Sequence, residues 1–252
     1  MPDRVLLAQL SDLHLCAEWE GVDPAPRVER VVAAVRSLPD PVDAVLVSGD
    51  LTDDAGEESY RLARELLGRF EAPVHVLPGN HDDRARLRAA FDLPGSAAEP
   101  VNYSVRIGAL RLVVLDSAVP GQDPGAYSPD QLAWLDAELA RAGEAPTLLA
   151  LHHPPLATGL PEWDAINLPP GAREAMADVV ARHPQLRAIA GGHLHRTAAG
   201  ALAGCPVFSA PSACLQARPD FGGNDVEFVD PPGFALHVLD GEAFSSQAEL
   251  LG

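Results

Sequence analysis

Pro73-Val74-His75-Val76-Leu77-Pro78-Gly79-Asn80-His81-Asp82 decides how this chain is to be read. A short apolar strand breaks at a Pro-Gly turn and runs directly into a cluster of ligand-type polar side chains. The cluster lies at the strand's carboxyl end, where an open α/β sheet gathers its sites because loops beyond splayed strand ends can converge on one crevice. Outward from this stretch the pattern repeats. Val5 to Leu10 ends in Ser11-Asp12-Leu13-His14, Ala44 to Ser48 in Gly49-Asp50, Thr147 to Leu151 in His152-His153-Pro154, and Leu186 to Ala190 in Gly191-Gly192-His193-Leu194-His195. Five strand ends thus deliver Asp, Asn or His to what can be one place.

Between these ends the first half alternates strand and helix. Pro26 to Leu38 carries Val28, Val31, Val32 and Val35 at helical spacing, and Glu57 to Phe70 carries Tyr60, Ala63, Leu66, Leu67 and Phe70. Asp83 to Phe91 reads as a short Arg-rich helix. Asn102 to Ile107 and Leu110 to Asp116 read as a hairpin about Gly108-Ala109, and Ser128-Pro129 starts a helix that runs to about Arg141. A further helix is expected over Gly171 to Arg182. Thr197 to Leu202, Pro206 to Ala210, Phe234 to Leu239 and Ala243 to Glu249 are then strands with few helical candidates between them. Two sheets packed face to face with helices outside both satisfy this order, and no repeat or linker divides residues 1–252, so one α/β domain is expected.

Composition narrows the chemistry. With 18 Lys+Arg against 36 Asp+Glu the formal net charge is -18, and every basic residue is Arg. The absence of Lys excludes a Walker-type phosphate loop and Schiff-base chemistry. The acidic balance argues against nucleic acid as a partner, which draws on basic residues to release counterions. A small anionic substrate needs local positive charge, which metal ions supply. Cys16, Cys205 and Cys214 form no disulfide framework, no run approaches the ~20 apolar residues of a membrane span, and no export signal is read at Met1 to Arg4, so a cytoplasmic protein without a membrane partner is expected.

The donors themselves point to metal. Asp12 and His14, two residues apart, share one side of an extended segment, and His193 and His195 repeat that spacing. Asp50 brings a carboxylate whose two oxygens can bind two ions at once. Asn80 offers a neutral amide oxygen, and His152 an imidazole. Each motif alone is weak: an Asp-x-His or Gly-Asp pair is usually a solvated turn, and Asn-His can be a helix cap. Their joint occurrence after apolar runs decides for a dinuclear site, since seven donors are too many for one tetrahedral ion but suit two ions roughly 3.5–4 Å apart. A nitrogen and oxygen set without thiolate favours manganese, iron, cobalt or zinc.

These residues resemble a known family. Asp12-Leu13-His14, Gly49-Asp50, Gly79-Asn80-His81-Asp82, His152-His153-Pro154 and Gly192-His193-Leu194-His195 are similar, in the same order and over residues 5 to 210, to the five blocks of the calcineurin-like metallophosphoesterases. The His-His-Pro-Pro form and the chain length resemble the class III cyclic-nucleotide phosphodiesterases and their glycerophosphodiesterase relatives. The resemblance implies a four-layer αββα sandwich of two mixed sheets with the metals at strand carboxyl ends. It implies one divalent or mixed-valence transition metal ion on Asp12, His14, Asp50 and His195, and a second on Asp50, Asn80, His152 and His193. His81 is then the catalytic residue beside the phosphate. The expected partner is a small phosphodiester such as cyclic AMP, hydrolysed by a hydroxide bridging the metals. A glycerophosphodiesterase or broad phosphomonoesterase is the alternative, and a scaffold or nuclease on the same fold is disfavoured by the full histidine set and the acidic surface. A homodimer stays open.

Around the site several residues have two readings. Asp82 or Asp53 can orient an imidazole, while a solvated carboxylate at a turn is an equal reading; Asp53→Ala is expected to keep metal and activity, Asp50→Ala to lose both. His153 either reaches the site or supports His152. Cys16 is expected to be a buried thiol, and Trp163, in the loop Pro154 to Pro170, either stacks on a base or anchors its loop. His75, His183 and His237 are expected to be packed or surface histidines. The loops Ser117 to Ala126, Pro154 to Pro170 and Leu215 to Pro232 are where substrate choice is expected to be made.

Overall fold

Arg4–Leu10 forms β1 with every residue but the first buried, as a strand covered on both faces requires. In this computed structural model residues 4–97, 99–222 and 226–252 are described; the loop read over 215–232 is therefore described except for 223–225, and Met1 to Asp3 lie outside the described residues. After β1 the chain runs α1 (Ala25–Arg36), β2 (Ala44–Ser48), α2 (Glu57–Leu67), β3 (Val74–Leu77), α3 (Arg84–Phe91), β4 (Tyr103–Ile107), β5 (Leu110–Val114), α4 (Pro129–Ala142) and β6 (Thr147–Ala150). It continues through α5 (Pro161–Ile166), α6 (Pro170–Val180), β7 (Leu186–Gly191), β8 (Ala198–Leu202), β9 (Cys205–Ser209), β10 (Gln216–Ala217), β11 (Phe228–Val229), β12 (Gly233–Asp240) and β13 (Ala243–Leu250).

Two mixed sheets result, one in the order β13-β12-β1-β2-β3 and the other in the order β4-β5-β6-β7-β9-β8. In the first, β1, β2 and β3 are parallel and β12 and β13 antiparallel; in the second, β5, β6, β7 and β9 are parallel, with β4 and β8 antiparallel at the edges. Period-two alternation sorts the layers. Ala8, Leu10, Val45, Val47 and Val76 face Val28, Val31, Val32 and Val35 of α1 and Tyr60, Ala63, Leu66 and Leu67 of α2. Val5, Leu7, Leu46 and Leu239 face the opposite way and meet Leu112, Val114, Leu148, Ala150 and Ala190 of the second sheet. Val113, Leu149, Ile189 and Val207 pack on Leu135 and Leu139 of α4 and Met176, Val179 and Val180 of α6. This is the αββα sandwich expected, and each fully buried Leu or Val in it contributes roughly 1.5–3 kcal/mol.

Two short features depart from the expectation. The loop from Pro154 to Pro170 contains α5, whose six residues start on Pro161 and are too few to show a helical period. The loop from Leu215 to Pro232 contains the β10–β11 ribbon, two residues per strand, too brief for alternation to register. Capping agrees better with the sequence: Ser128 and Gln131 form a reciprocal capping box at α4, and Asp83 accepts from Arg86 N at α3.

A polar network crosses the apolar layer between the sheets. Gln9, fully buried, donates through Nε2 to Ser48 Oγ at 2.7 Å and to Gly191 O at 2.9 Å. Its Oε1 accepts from His237 Nε2 at 2.8 Å, and His237 Nδ1 meets Ser246 Oγ at 2.8 Å. His237 and Ser246 are directly opposed in the β12–β13 register. Every polar atom of Gln9 and His237 is thereby satisfied, which makes their burial tolerable. His237 is neutral here, because burial pushes it down to about 4.

Candidate metal centre and active site

Five parallel strand ends, those of β1, β2, β3, β6 and β7, place the expected ligands. Asp12, His14, Asp50, His193 and His195 all adopt positive φ, between 45° and 67°. That backbone turns each side chain inward over the strand end and costs of order 1–3 kcal/mol per residue, a cost that clusters at functional sites. Glycines make room: a Cβ on Gly79 would lie 2.0 Å from Asp50 Oδ1, and one on Gly192 1.8 Å from Ser11 Oγ.

One group of donors is Asp12, His14 and His195, all buried. His14 Nδ1 is taken by Asp53 Oδ1 at 3.1 Å and His195 Nδ1 by Leu215 O at 3.1 Å, so each imidazole donates from Nδ1. Their Nε2 lone pairs then face each other at 3.0 Å, a repulsive contact unless positive charge lies between them. Asp12 Oδ1 is 3.7 Å from His195 Nε2 and Asp50 Oδ2 is 3.6 Å from His14 Nε2. Burial pushes Asp12 up to about 6, the mark of a carboxylate that wants a cation.

A second group surrounds His152. Its Nδ1 donates to Ser48 O at 2.8 Å, leaving Nε2 3.1 Å from Asn80 Oδ1 and 3.2 Å from Asp50 Oδ2. Burial opposes charge on His152, but Asp50 outweighs it and raises the imidazole to about 9. His193 Nε2 is buried without a partner among the described residues, and burial with the neighbouring histidines holds His193 well below its ordinary value, as a lone-pair donor. Orphaned and mutually facing lone pairs of nitrogen and oxygen fit two divalent cations. The Asp50 geometry refines the expectation: Oδ2 faces both groups, while Oδ1 accepts from His81 N at 2.9 Å.

His81 stands at the rim, its side chain 37% exposed. Its Nδ1 lies 3.0 Å from Asp53 Oδ1, the same oxygen that holds His14. Burial opposes the charge on His81, but Asp53 and Asp50 overcome it and raise the imidazole to about 9. Asp53 in turn is held well below the usual carboxylate range by hydrogen bonds from His14 and His81. Asp53 is therefore an orienting carboxylate, which argues against its expected dispensability. Asp82 meets no imidazole among the described residues. It is a loop clamp that accepts from Leu51 N, Gly79 N and Tyr60 OH.

The remaining two-sided readings resolve as well. His153 supports rather than ligates: Nδ1 meets Ser117 Oγ at 2.8 Å and Nε2 meets Asp123 O at 2.9 Å, although a ring nitrogen lies near those of His152 and His193. Trp163 is buried on α5, with ring centroids 5.8 Å from His193 and 5.9 Å from His195, so it packs against these histidines and anchors its loop by burial. Trp19 stacks on His14 with ring centroids 4.1 Å apart. Cys16 is partly exposed instead of buried. His183 pairs with Asp136, and His75 is partly exposed.

The fold and this double donor set define a class, and comparison with known proteins agrees: the model of the calcineurin-like phosphoesterases matches residues 5–197, and the chain belongs to that family. Among curated relatives, a 3',5'-cyclic adenosine monophosphate phosphodiesterase, CpdA, of Pseudomonas aeruginosa is 35% identical over 219 residues, 85% of this chain and 78% of that protein. A probable glycerophosphodiester phosphodiesterase, GpdQ, of Arcobacter nitrofigilis is 31% identical over 241 residues, 92% of this chain and 88% of that protein. A dimetal phosphatase from Danio rerio shares the fold with a TM-score of 0.71 at 17% identity, covering 97% of this chain and 95% of that one. No helix among the described residues is long and apolar enough to cross a membrane.

Proposed function

We propose that this protein is a metal-dependent phosphodiester hydrolase acting on a small diester, with cyclic AMP the first natural candidate. The observation that carries the reading is the pair of donor groups sharing Asp50 Oδ2, with His14 Nε2 and His195 Nε2 facing each other at 3.0 Å. Asp12, His14, Asp50 and His195 would hold one cation, and Asp50, Asn80, His152 and His193 the other; manganese, iron, zinc or cobalt suits these donors. The chemistry supplied by cations held there would be neutralisation of phosphate charge and a lowered pKa for bound water.

The chain's own residues do the rest. Ser48 O and Leu215 O fix the tautomers of His152 and His195, and Asp53 fixes that of His14, so each presents Nε2 inward. His81 keeps Nδ1 on Asp53 and offers Nε2 at the rim, where its proton can pass to the oxygen that leaves. The diester reading draws support from the names of the relatives, and the acidic surface favours a monoanionic substrate over a dianionic monoester. Glycerophosphodiesters are the second reading, favoured by the relative that matches 92% of this chain. Residues 1–252 act as one domain in the cytoplasm, with three free thiols, without nucleic-acid or membrane partners. A manganese-loaded preparation should hydrolyse bis(p-nitrophenyl) phosphate faster than p-nitrophenyl phosphate at equal concentration, and then cyclic AMP or a glycerophosphodiester. Faster monoester turnover would overturn the reading.

A further inference from the structure

Beside Asn80 and His81 the surface opens into a cavity of 480 Å³, within the range of roughly 300–1,000 Å³ of pockets that take an organic ligand. It runs from Asn80 out to Ala118, Val119 and Pro120, in a loop expected to govern substrate choice, and Arg84 forms part of its wall. Arg84 is unlike a surface arginine. Its side chain is 13% exposed, its Nε donates to Asp116 Oδ2 at 2.6 Å, and its Nη2 donates to Ala118 O at 2.7 Å. Asp116 is fully buried and itself fixed by Val101 N and Ala118 N. One edge of the planar fork is thereby clamped. Nη1 has no hydrogen-bond partner among the described residues, and Arg84 lines the cavity.

A donor held this way is preorganised, and its electrostatics limit what it takes. The guanidinium charge is offset by Asp116, while Asp82 and Asp83 also line the cavity of a chain with net charge -18. An additional carboxylate or phosphate would meet repulsion there, whereas a neutral oxygen acceptor would not. Asn80 and His81 line the same cavity as Arg84, so an alcohol departing on the His81 side enters space that Arg84 helps to wall. We infer that Arg84 is a specificity residue that donates through Nη1 to a hydroxyl of the alcohol departing on the His81 side, and so selects diesters of hydroxyl-bearing alcohols over their deoxy counterparts. This rests on the diesterase reading above.

Removing Arg84 outright leaves Asp116 buried and unpaired, which can unfold the chain. The informative variant is Arg84→Lys, whose ammonium can still meet Asp116 and Ala118 O but has no second edge to offer. The readout is the ratio of kcat/KM within two substrate pairs, which separate the sources of the hydroxyl: cyclic AMP against 2'-deoxy cyclic AMP, and the glyceryl against the propyl ester of a common phosphate. A hydrogen bond from a charged donor makes the hydroxylated member of one pair about 10- to 100-fold better in the wild type. Arg84→Lys should bring that ratio near one, with thermal melting monitored in parallel. A wild-type ratio near one in both pairs overturns the inference without any variant. So does a folded Arg84→Lys that keeps the ratio. A wild type that hydrolyses no diester fails the diesterase reading, and the inference with it.

Discussion

His237 should make this protein lose stability on mild acidification, by an amount its surroundings set. The imidazole is fully buried between the sheets, with Nε2 donating to Gln9 Oε1 and Nδ1 accepting from Ser246 Oγ, so the neutral ring is already satisfied. Burial lowers it from 6.5 to about 4. The unfolded chain therefore binds the proton first. Stability from neutral His237 is fully present above about 6.5 and declines as pH falls toward 4, by about 2 kcal/mol at pH 5 and about 3 kcal/mol near pH 4. For a domain of this size that corresponds to roughly 6–12 °C in melting temperature at the lower pH. Other groups titrate over the same range, so the measurement is a difference. Urea unfolding followed by circular dichroism at several pH values from 7.5 to about 4.5, at matched metal loading, is compared between wild type and His237→Gln, which keeps a donor toward Gln9. The two curves should converge on acidification as the wild type alone loses this contribution. Parallel curves would refute the reasoning and place the proton elsewhere in the network.

Three further outcomes are expected at the site. Asp53→Ala should weaken metal affinity about 10- to 100-fold, because it frees the ring of His14, and metal titration reads this directly; unaltered affinity would return Asp53 to the surface. Gly79→Ala should displace Asp50, whose Oδ1 and backbone N would lie 2.0 and 2.5 Å from the new Cβ, and metal content and melting temperature should both fall, whereas Gly171→Ala meets nothing within 4 Å and should be neutral or stabilising. If His81 is the general acid, His81→Ala should cost about 10²–10⁴-fold on an alkyl diester, which expels a basic alkoxide, and far less on a nitrophenyl diester. Equal losses would leave His81 as an electrostatic residue.

What could be read from the sequence was what short range encodes. Val28, Val31, Val32 and Val35 announce a helix face because their spacing is the helix period, and they are buried on that face. Asp12, Asp50, Asn80, His152 and His193 announce themselves because each comes within three residues of a strand end, so one topological rule carries all of them to one crevice. Contacts between distant segments left no local trace. Asp53 finds His14 across 39 residues, Arg84 finds Asp116 across 32, and His237 finds Gln9 across 228. Before the fold is known, each of these residues is an ordinary surface-type side chain. Helix α5 was hidden for another reason: one and a half turns cannot display a period.

The same geometry explains why the donors sit so close without being satisfied by one another. Asp12, His14, Asp50, His193 and His195 are held in left-handed backbone, a conformation that Asp and His tolerate better than branched residues do. Their outward atoms are committed: His14 Nδ1 to Asp53, His152 Nδ1 to Ser48 O, His195 Nδ1 to Leu215 O, and both Asp12 oxygens to His193 N. At His14 and His195 the inward Nε2 lone pairs face each other at 3.0 Å. Relaxing that repulsion by rotating a ring would break a buried hydrogen bond at about 1–3 kcal/mol each, and relaxing it by moving backbone would disturb strands packed on both faces. The apolar layers thus hold the donors in an arrangement that only positive charge relieves. Cations that bind the folded chain and not the unfolded one should therefore raise its stability with the logarithm of their concentration above Kd, and the strain at the strand ends becomes part of what selects for them.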